Sequence, residues 1–205
     1  CEGRIMRAAV EDPSGLLFFC DPAEHIIGVR AVAAASDQVF AGTPGTPGII
    51  NASCRKARFN GPRSLSLDAA HRTLFVADTG NQAVRQVDLK VHIVNTLVNL
   101  QDARAIAGVQ EFTPGGVAFD GDDLVAIADI KNHILWVYDL RLHRLGLLSG
   151  APGQQGLVDG DADRARFWLP TTIVLADDRS GFIVTEAGNR QRRHVTRDGH
   201  VRTLR

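Results

Sequence analysis

A constant offset of 108 residues relates the two halves of this sequence. Acidic residues follow short apolar runs at Asp21, Asp78, Asp129 and Glu186, at intervals of 57, 51 and 57 residues. Positions two intervals apart match without a gap. The matched pairs are Asp21/Asp129, His25/His133, Gly42/Gly150, Pro44/Pro152, Phe59/Phe167, Pro62/Pro170, Gly80/Gly188, Asn81/Asn189 and Arg85/Arg193. Because self-similarity at a fixed period is typical of repeat folds, the predicted unit is a pair of modules present twice.

Each module contains the pattern of a β-hairpin. In the clearest copy, the apolar run Leu74–Ala77 ends at Asp78-Thr79-Gly80-Asn81, and a second alternating run follows. Asp, Gly and Asn favour tight turns, and we expect Gly and Asn to adopt the left-handed conformation here. Alternating segments at Ser64–Asp68 and Val91–Leu97 flank this hairpin and add two strands.

Four short antiparallel strands per interval are typical of a β-propeller blade, and the 3.6-residue periodicity of helical repeats is absent. The predicted fold is therefore all-β, with four blades of four antiparallel strands. The blades are predicted at about residues 4–57, 58–110, 111–165 and 166–205.

These residues closely resemble the NHL repeat. The resemblance rests on Phe59-x-x-Pro62, on Leu74–Asn81 and on Val84-Arg85, and Gly153–Gly160 looks like the loop that often precedes such a repeat. It implies an NHL-type propeller with six blades, of which four are in this chain. Since an open propeller exposes unpaired strand edges, we expect a longer polypeptide or edge-to-edge self-association, with a closed four-bladed ring as the alternative.

Two blades depart from the family pattern. The first has Glu24 where the repeat has Asn, and Gly28 at the position of Arg85. The third has Trp136 at that arginine position. A structural role in the repeat turns is predicted for seven residues: Asp21, Asp78, Asn81, Asp129, Asn132, Glu186 and Asn189.

The loops between blades are the predicted source of function. Gln38–Ser53 and Ser149–Arg164 are rich in Gly and Pro and occupy matching positions, so we expect them on the same face of the ring. The first prediction is a rigid protein-interaction scaffold with a protein partner, no catalytic residues and no cofactor.

A metal-dependent propeller enzyme of the lyase or hydrolase class is the alternative. Resemblance to the NHL-like peptidylglycine amidating lyase would imply zinc held by histidines from several blades, and calcium is the other candidate for the central channel. However, His25 and His133 lie just after the repeat turn, which favours a structural role. Asp159–Asp163 begins like an EF-hand loop, but Arg164 and Pro170 occupy the positions where that loop needs Gly and Glu. No metal ligands are therefore predicted.

A third hypothesis is RNA or polyanion binding through Arg190, Arg192, Arg193 and Arg197. The whole chain has 23 basic and 23 acidic residues, which disfavours binding through a general positive field. No aromatic stacking residue lies within the cluster. Arg193 also matches the structural arginine of the family.

The remaining features carry less information. No apolar run is long enough to span a bilayer, and nothing assigns a compartment. Among the three cysteines, Cys20 is predicted to be buried and inert, and Cys54 to be the more accessible, while Cys1 stands at the start. Asn51-Ala52-Ser53 is a glycosylation sequon that matters only in a secreted protein.

Overall fold

A computed structural model describes residues 8–31 and 36–204. Cys1, Arg205 and the predicted beginning of the first blade lie outside the described residues. The chain forms two compact units, residues 1–97 and 98–205. Each unit contains two antiparallel sheets, which confirms the prediction of an all-β propeller fold with four blades.

The sheets of unit 1 have the strand orders β1-β2-β3-β4 and β5-β9-β8-β7-β6. Their strands are β1 (Ala9–Glu11), β2 (Leu16–Asp21), β3 (Ile26–Ala31), β4 (Gln38–Ala41), β5 (Ala52–Ser53), β6 (Pro62–Asp68), β7 (Thr73–Asp78), β8 (Ala83–Asp88) and β9 (Ile93–Asn99).

The sheets of unit 2 have the strand orders β10-β11-β12-β13 and β14-β15-β16-β17. Its elements are the helix α1 (Leu100–Ala107) and the strands β10 (Pro114–Phe119), β11 (Leu124–Asp129), β12 (Ile134–Asp139), β13 (Arg144–Ser149), β14 (Pro170–Leu175), β15 (Gly181–Glu186), β16 (Gln191–Thr196) and β17 (Val201–Thr203).

The predicted loop Gln38–Ser53 is partly strand. Gln38–Ala41 forms β4, the fourth strand of the first blade, and Ala52–Ser53 pairs with β9 as a fifth strand of the second sheet. The irregular part of this loop is therefore residues 42–51. Periodicity could not show this, because two-residue and four-residue strands are too short to display an alternating pattern.

In the repeat turn, the residue with the left-handed backbone conformation is not the one that was predicted. Gln82 has φ +52°, and the corresponding residues His25, His133 and Arg190 have φ between +54° and +60°. Gly80 serves another purpose, since a Cβ there would lie 2.6 Å from the carbonyl oxygen of Asn60. Glycine is needed at this position for close backbone approach and not for its backbone dihedral angles.

The hydrophobic core of each unit follows the 108-residue offset. Many buried residues of unit 1 have buried apolar counterparts in unit 2, because the same positions of the repeat face inward. The matched core pairs are Ile27/Leu135, Ala57/Ala165, Phe59/Phe167, Leu74/Phe182, Val76/Val184 and Val87/Val195.

Helix α1 was not predicted, although its ends carry sequence signals. Asn99 and Asp102 form a capping box, and Gly108 ends the helix at φ +65°. Eight residues are too few to establish helical periodicity. No helix of the described residues is long and apolar enough to cross a bilayer.

Candidate functional site

Among the described residues, each unit buries one arginine, on the third strand of its second blade. Arg85 and Arg193 have fully buried side chains. Arg85 Nη1 donates to Asp78 Oδ2 at 3.0 Å, and Arg193 Nη1 donates to Glu186 Oε1 at 2.7 Å. Each guanidinium also lies 5.3 Å from the centre of a phenylalanine ring, that of Phe59 or Phe167. The two sites are therefore copies of one arrangement.

These arginines hold the backbone of the neighbouring loops. Arg85 Nη2 donates to the carbonyl oxygen of Ile50 at 3.1 Å, and Arg193 Nη2 donates to that of Val158 at 2.8 Å. Asn81 and Asn189 strengthen the hold by donating to loop carbonyl groups at 2.7 Å and 2.8 Å. Because these hydrogen bonds already fix the loop backbone, the loops lose little conformational freedom on binding a partner.

Burial dominates the electrostatics of the Arg85 site. It raises the pKa of the Asp78 carboxyl in spite of hydrogen bonds from Asn60, Asn81 and Arg85, and it lowers the pKa of Arg85. A buried pair costs desolvation energy that its attraction only partly repays. The pair therefore specifies the position of the loop more than it adds net stability.

The first and third blades, which depart from the repeat pattern, each have a different residue at this arginine position. In the third blade Trp136 Nε1 donates to Asp129 Oδ2 at 3.0 Å, so an indole takes over the hydrogen bond of the guanidinium. In the first blade the ring of Phe19 covers Gly28, and a Cβ there would lie 2.2 Å from the ring.

Exposed apolar side chains lie on the loops that the arginines hold. Ile49 and Ile50 are 53% and 44% exposed, and their counterparts Leu157 and Val158 are 50% and 46% exposed. The loops were predicted from the sequence, but these four residues were not. The 108-residue offset could have found them, because it aligns two apolar residues in each otherwise polar loop.

The residue that follows Ile50 or Val158 in each loop also accepts a hydrogen bond from the buried arginine of its unit. Asn51 Oδ1 accepts a hydrogen bond from Arg85 Nη2 at 2.6 Å, and Asp159 Oδ1 accepts one from Arg193 Nη2 at 2.6 Å. Burial opposes ionisation of Asp159, but hydrogen bonds from Thr203 and Arg193 outweigh it and leave its pKa below the ordinary value. The sequon residue Asn51 and the first acid of the Asp159–Asp163 run are thus both engaged within their own unit.

The predicted arginine cluster is divided by the structure. Arg190 and Arg192 are exposed, whereas Arg193 is buried. Arg197 is 41% exposed and its Nη2 lies 3.0 Å from Asp120 Oδ2. Only Arg190 and Arg192 therefore present unpaired cations within the described part of this segment.

The histidines that follow the repeat turns accept backbone hydrogen bonds. His25 Nδ1 accepts from Gly61 N at 3.0 Å, and His133 Nδ1 accepts from Leu169 N at 3.2 Å. Across residues 8–31 and 36–204, no three His, Cys, Asp or Glu side chains are grouped so that they could hold a metal ion.

Both described cysteines are buried and free of disulfides. Cys54 is the more accessible of the two, as predicted, but it is only 4% exposed against 0% for Cys20 and belongs to the core of unit 1. Burial raises its pKa to about 11.

Several known proteins are similar to this chain. Human NHL repeat-containing protein 2 is 29% identical over 165 residues, which cover 74% of this chain and 23% of that protein. The Arabidopsis thaliana chloroplastic protein SUPPRESSOR OF QUENCHING 1 is 28% identical over 145 residues, covering 67% of this chain and 14% of that protein. This chain thus spans less than a quarter of these relatives. No family model matches it.

A chain in the crystal structure of a nidogen/laminin complex has a similar fold. The superposition has a TM-score of 0.70 at 13% identity and covers 98% of this chain and 65% of that chain. At this identity the likeness concerns the fold alone.

Proposed function

We propose that this chain, an NHL-repeat β-propeller by its repeats, its blades and its named relatives, is a rigid protein-interaction scaffold. The observation that carries the proposal is the pair of exposed apolar residues at the same position of two loops, Ile49-Ile50 and Leu157-Val158. Exposed apolar side chains on rigid backbone are typical anchors of protein interfaces.

The hydrogen bonds from the buried arginines to the loop backbone support this proposal. The carbonyl oxygens of Ile50 and Val158 each accept a bond from a buried arginine, so the apolar side chains are presented outward from fixed backbone. A partner that contacts such loops loses little ordering entropy.

Affinity capture from the native source tests the proposal. The bait is compared with its variants Ile49→Asp and Leu157→Asp, and the captured proteins are measured by quantitative mass spectrometry. We expect at least about a tenfold loss of a defined set of proteins, because burial of a charge at an interface anchor costs about 2 kcal/mol or more. The matched control is Leu142→Asp, since Leu142 is 71% exposed and lies outside both loops. Equal capture by all four baits would overturn the proposal.

Binding of RNA or another polyanion through Arg190 and Arg192 stays a prediction. Reversal of both charges to Glu should abolish retention on heparin at low salt if these side chains bind a polyanion. Zinc or calcium in a metal-dependent enzyme also stays a prediction, and elemental analysis of the purified protein would test it.

A further inference from the structure

The two loops of the proposed function share an apolar pair but differ in charge. Residues 43–58, called loop A below, contain Arg55, Lys56 and Arg58 and no acidic residue, so their net charge is +3. Residues 151–166, called loop B below, are their counterparts at the 108-residue offset and contain three acidic and two basic residues, so their net charge is −1. Because the apolar pair is common to both loops, charge is what distinguishes the partners that each loop can bind.

Arg58 lies beside the exposed apolar pair of loop A. Ile50 and Arg58 form an isolated antiparallel bridge, in which Arg58 N donates to the carbonyl oxygen of Ile50 at 3.3 Å. Side chains directly opposite each other across such a bridge lie on the same side of it. The aliphatic stem of Arg58 also lies against Gly48, where a Cβ would be 3.2 Å from Arg58 Cδ. Loop A therefore presents an apolar side chain and a guanidinium group together.

The basic side chains of loop A are not neutralised within the chain. Arg58 Nη1 is buried and has no hydrogen-bond partner among the described residues. Within the part of the chain that the structure describes, no acidic side chain forms an ion pair with Arg55, Lys56 or Arg58. A buried nitrogen of a guanidinium group ordinarily has an acceptor. The acceptor for loop A must therefore come from outside the described chain.

Loop B satisfies the corresponding guanidinium group by itself. Arg166 Nε donates to Gln154 Oε1 at 3.1 Å, and Arg166 Nη1 donates to two carbonyl oxygens of its own loop at 2.8 Å. In loop A the position of Gln154 holds Thr46, whose hydroxyl group donates to another carbonyl oxygen of loop A. The position of Asp163 holds Arg55, so a positive charge stands where loop B has a negative one. The two loops therefore have matching bridges but different binding chemistry.

We propose that loop A binds a protein segment in which acidic residues adjoin an apolar residue. The apolar side chain packs on Ile49 and Ile50, and the carboxylates accept hydrogen bonds from Arg58 and are attracted by Arg55 and Lys56. Bonds between guanidinium and carboxylate groups are charge-assisted and strong. Arg58 gives up little hydration on forming them, because part of its guanidinium group is already buried. The inference rests on the proposed scaffold function, to which it adds the chemistry of the partner.

A protein segment fits this surface better than a nucleic acid does. Single-stranded nucleic acids stack their bases on aromatic side chains, and residues 43–58 contain none. Ile49 and Ile50 are 53% and 44% exposed, and they offer apolar contact that a phosphate backbone does not use. Loop B has the same kind of apolar pair, but its exposed residues Asp161 and Asp163 repel an acidic segment. The preference for acidic partners is therefore expected of loop A and not of loop B.

Selection from a phage-displayed library of random dodecapeptides tests the inference on the intact chain of 205 residues. We expect the selected peptides to be enriched in Asp and Glu next to Leu, Ile, Val or Phe, relative to the unselected library. The peptide that binds best is then synthesised with a fluorescent label and titrated by anisotropy. It should bind Arg58→Gln about tenfold more weakly than the wild type, because a charge-assisted hydrogen bond is lost.

Arg166→Gln is the matched control, because it removes the guanidinium group at the same position of loop B. This variant should bind the selected peptide as the wild type does. Replacement of Asp and Glu in the peptide by Asn and Gln should weaken binding to the wild type by about tenfold or more. No enrichment, selected peptides without an acidic excess, or equal binding by the wild type and Arg58→Gln would overturn the inference. Circular dichroism shows whether Arg58→Gln is folded, and Arg55→Gln with Lys56→Gln provides a second variant that should weaken binding.

A labelled oligothymidylate is titrated beside the peptide. If it binds more tightly than the peptide does and loses affinity in Arg58→Gln, the inference is overturned in favour of a nucleic acid.

Failure of this inference can be told apart from failure of the proposed function by Ile49→Ser, which removes apolar contact without adding a charge. Selected peptides that lack an acidic excess but lose affinity in Ile49→Ser would overturn the charge assignment and leave the scaffold proposal in place. Acidic peptides that lose affinity in Arg58→Gln but bind Ile49→Ser as the wild type does would instead remove the apolar anchor on which the scaffold proposal depends.

Discussion

Removal of the buried arginine of unit 2 should be costly, and the structure sets the size of the effect. Arg193→Met leaves Glu186 buried without a countercharge, although two other hydrogen bonds to this carboxylate remain, from Trp168 N and Asn189 Nδ2 at 2.6 Å each. Loss of one partner of a buried pair costs about 3–5 kcal/mol. The carbonyl oxygen of Val158 also loses its donor, which releases the loop.

The assay is urea unfolding followed by tryptophan fluorescence. Both tryptophans of the chain, Trp136 and Trp168, belong to unit 2, so the signal reports on the unit that contains Arg193. We expect the free energy of unfolding to fall by about 3–5 kcal/mol in Arg193→Met. The control Arg192→Met changes the neighbouring exposed arginine and should stay within about 0.5 kcal/mol of the wild type.

A second substitution identifies the cause of this loss. If the uncompensated charge is responsible, Glu186→Gln in the Arg193→Met background should restore at least about 1 kcal/mol, because the remaining side chain is neutral. A loss below about 1 kcal/mol in Arg193→Met, or further destabilisation by the second substitution, would refute the reasoning.

Three further predictions concern the first and third blades, which lack the repeat arginine, and the thiol of Cys54. Trp136→Phe should lower the free energy of unfolding by about 1–3 kcal/mol in the same fluorescence or circular dichroism assay, because Asp129 loses a buried donor. Gly28→Ala should destabilise unit 1 by about 1–3 kcal/mol in thermal unfolding, since the added methyl group meets the Phe19 ring; an unchanged midpoint would show that this ring can move. Cys54, with its pKa raised to about 11, should react with iodoacetamide at pH 8 far more slowly in the native protein than in urea, as measured by peptide mass spectrometry; equal rates would contradict its burial.

Local and periodic features were readable from the sequence. The intervals between Asp21, Asp78, Asp129 and Glu186 predicted four blades, because each blade must repeat the same turn and strand pattern to pack on its neighbours. The arginine position of the repeat was also visible, including its replacement by Trp136. Such features depend on residues close together in the chain, where turn chemistry and side-chain alternation act directly.

Which side chains are buried, and which groups they bond, depends on residues that are far apart in the chain. Arg192 and Arg193 are adjacent in sequence, but Arg192 is exposed to solvent. Arg193 is buried, and it donates to loop backbone about 30 residues away in the chain. Cys54 was predicted to be more accessible than Cys20 and is, but only the tertiary structure shows that it is nevertheless buried in the core of unit 1. Such contacts arise only when the whole unit has folded, since the free energy of each side chain depends on which distant groups surround it.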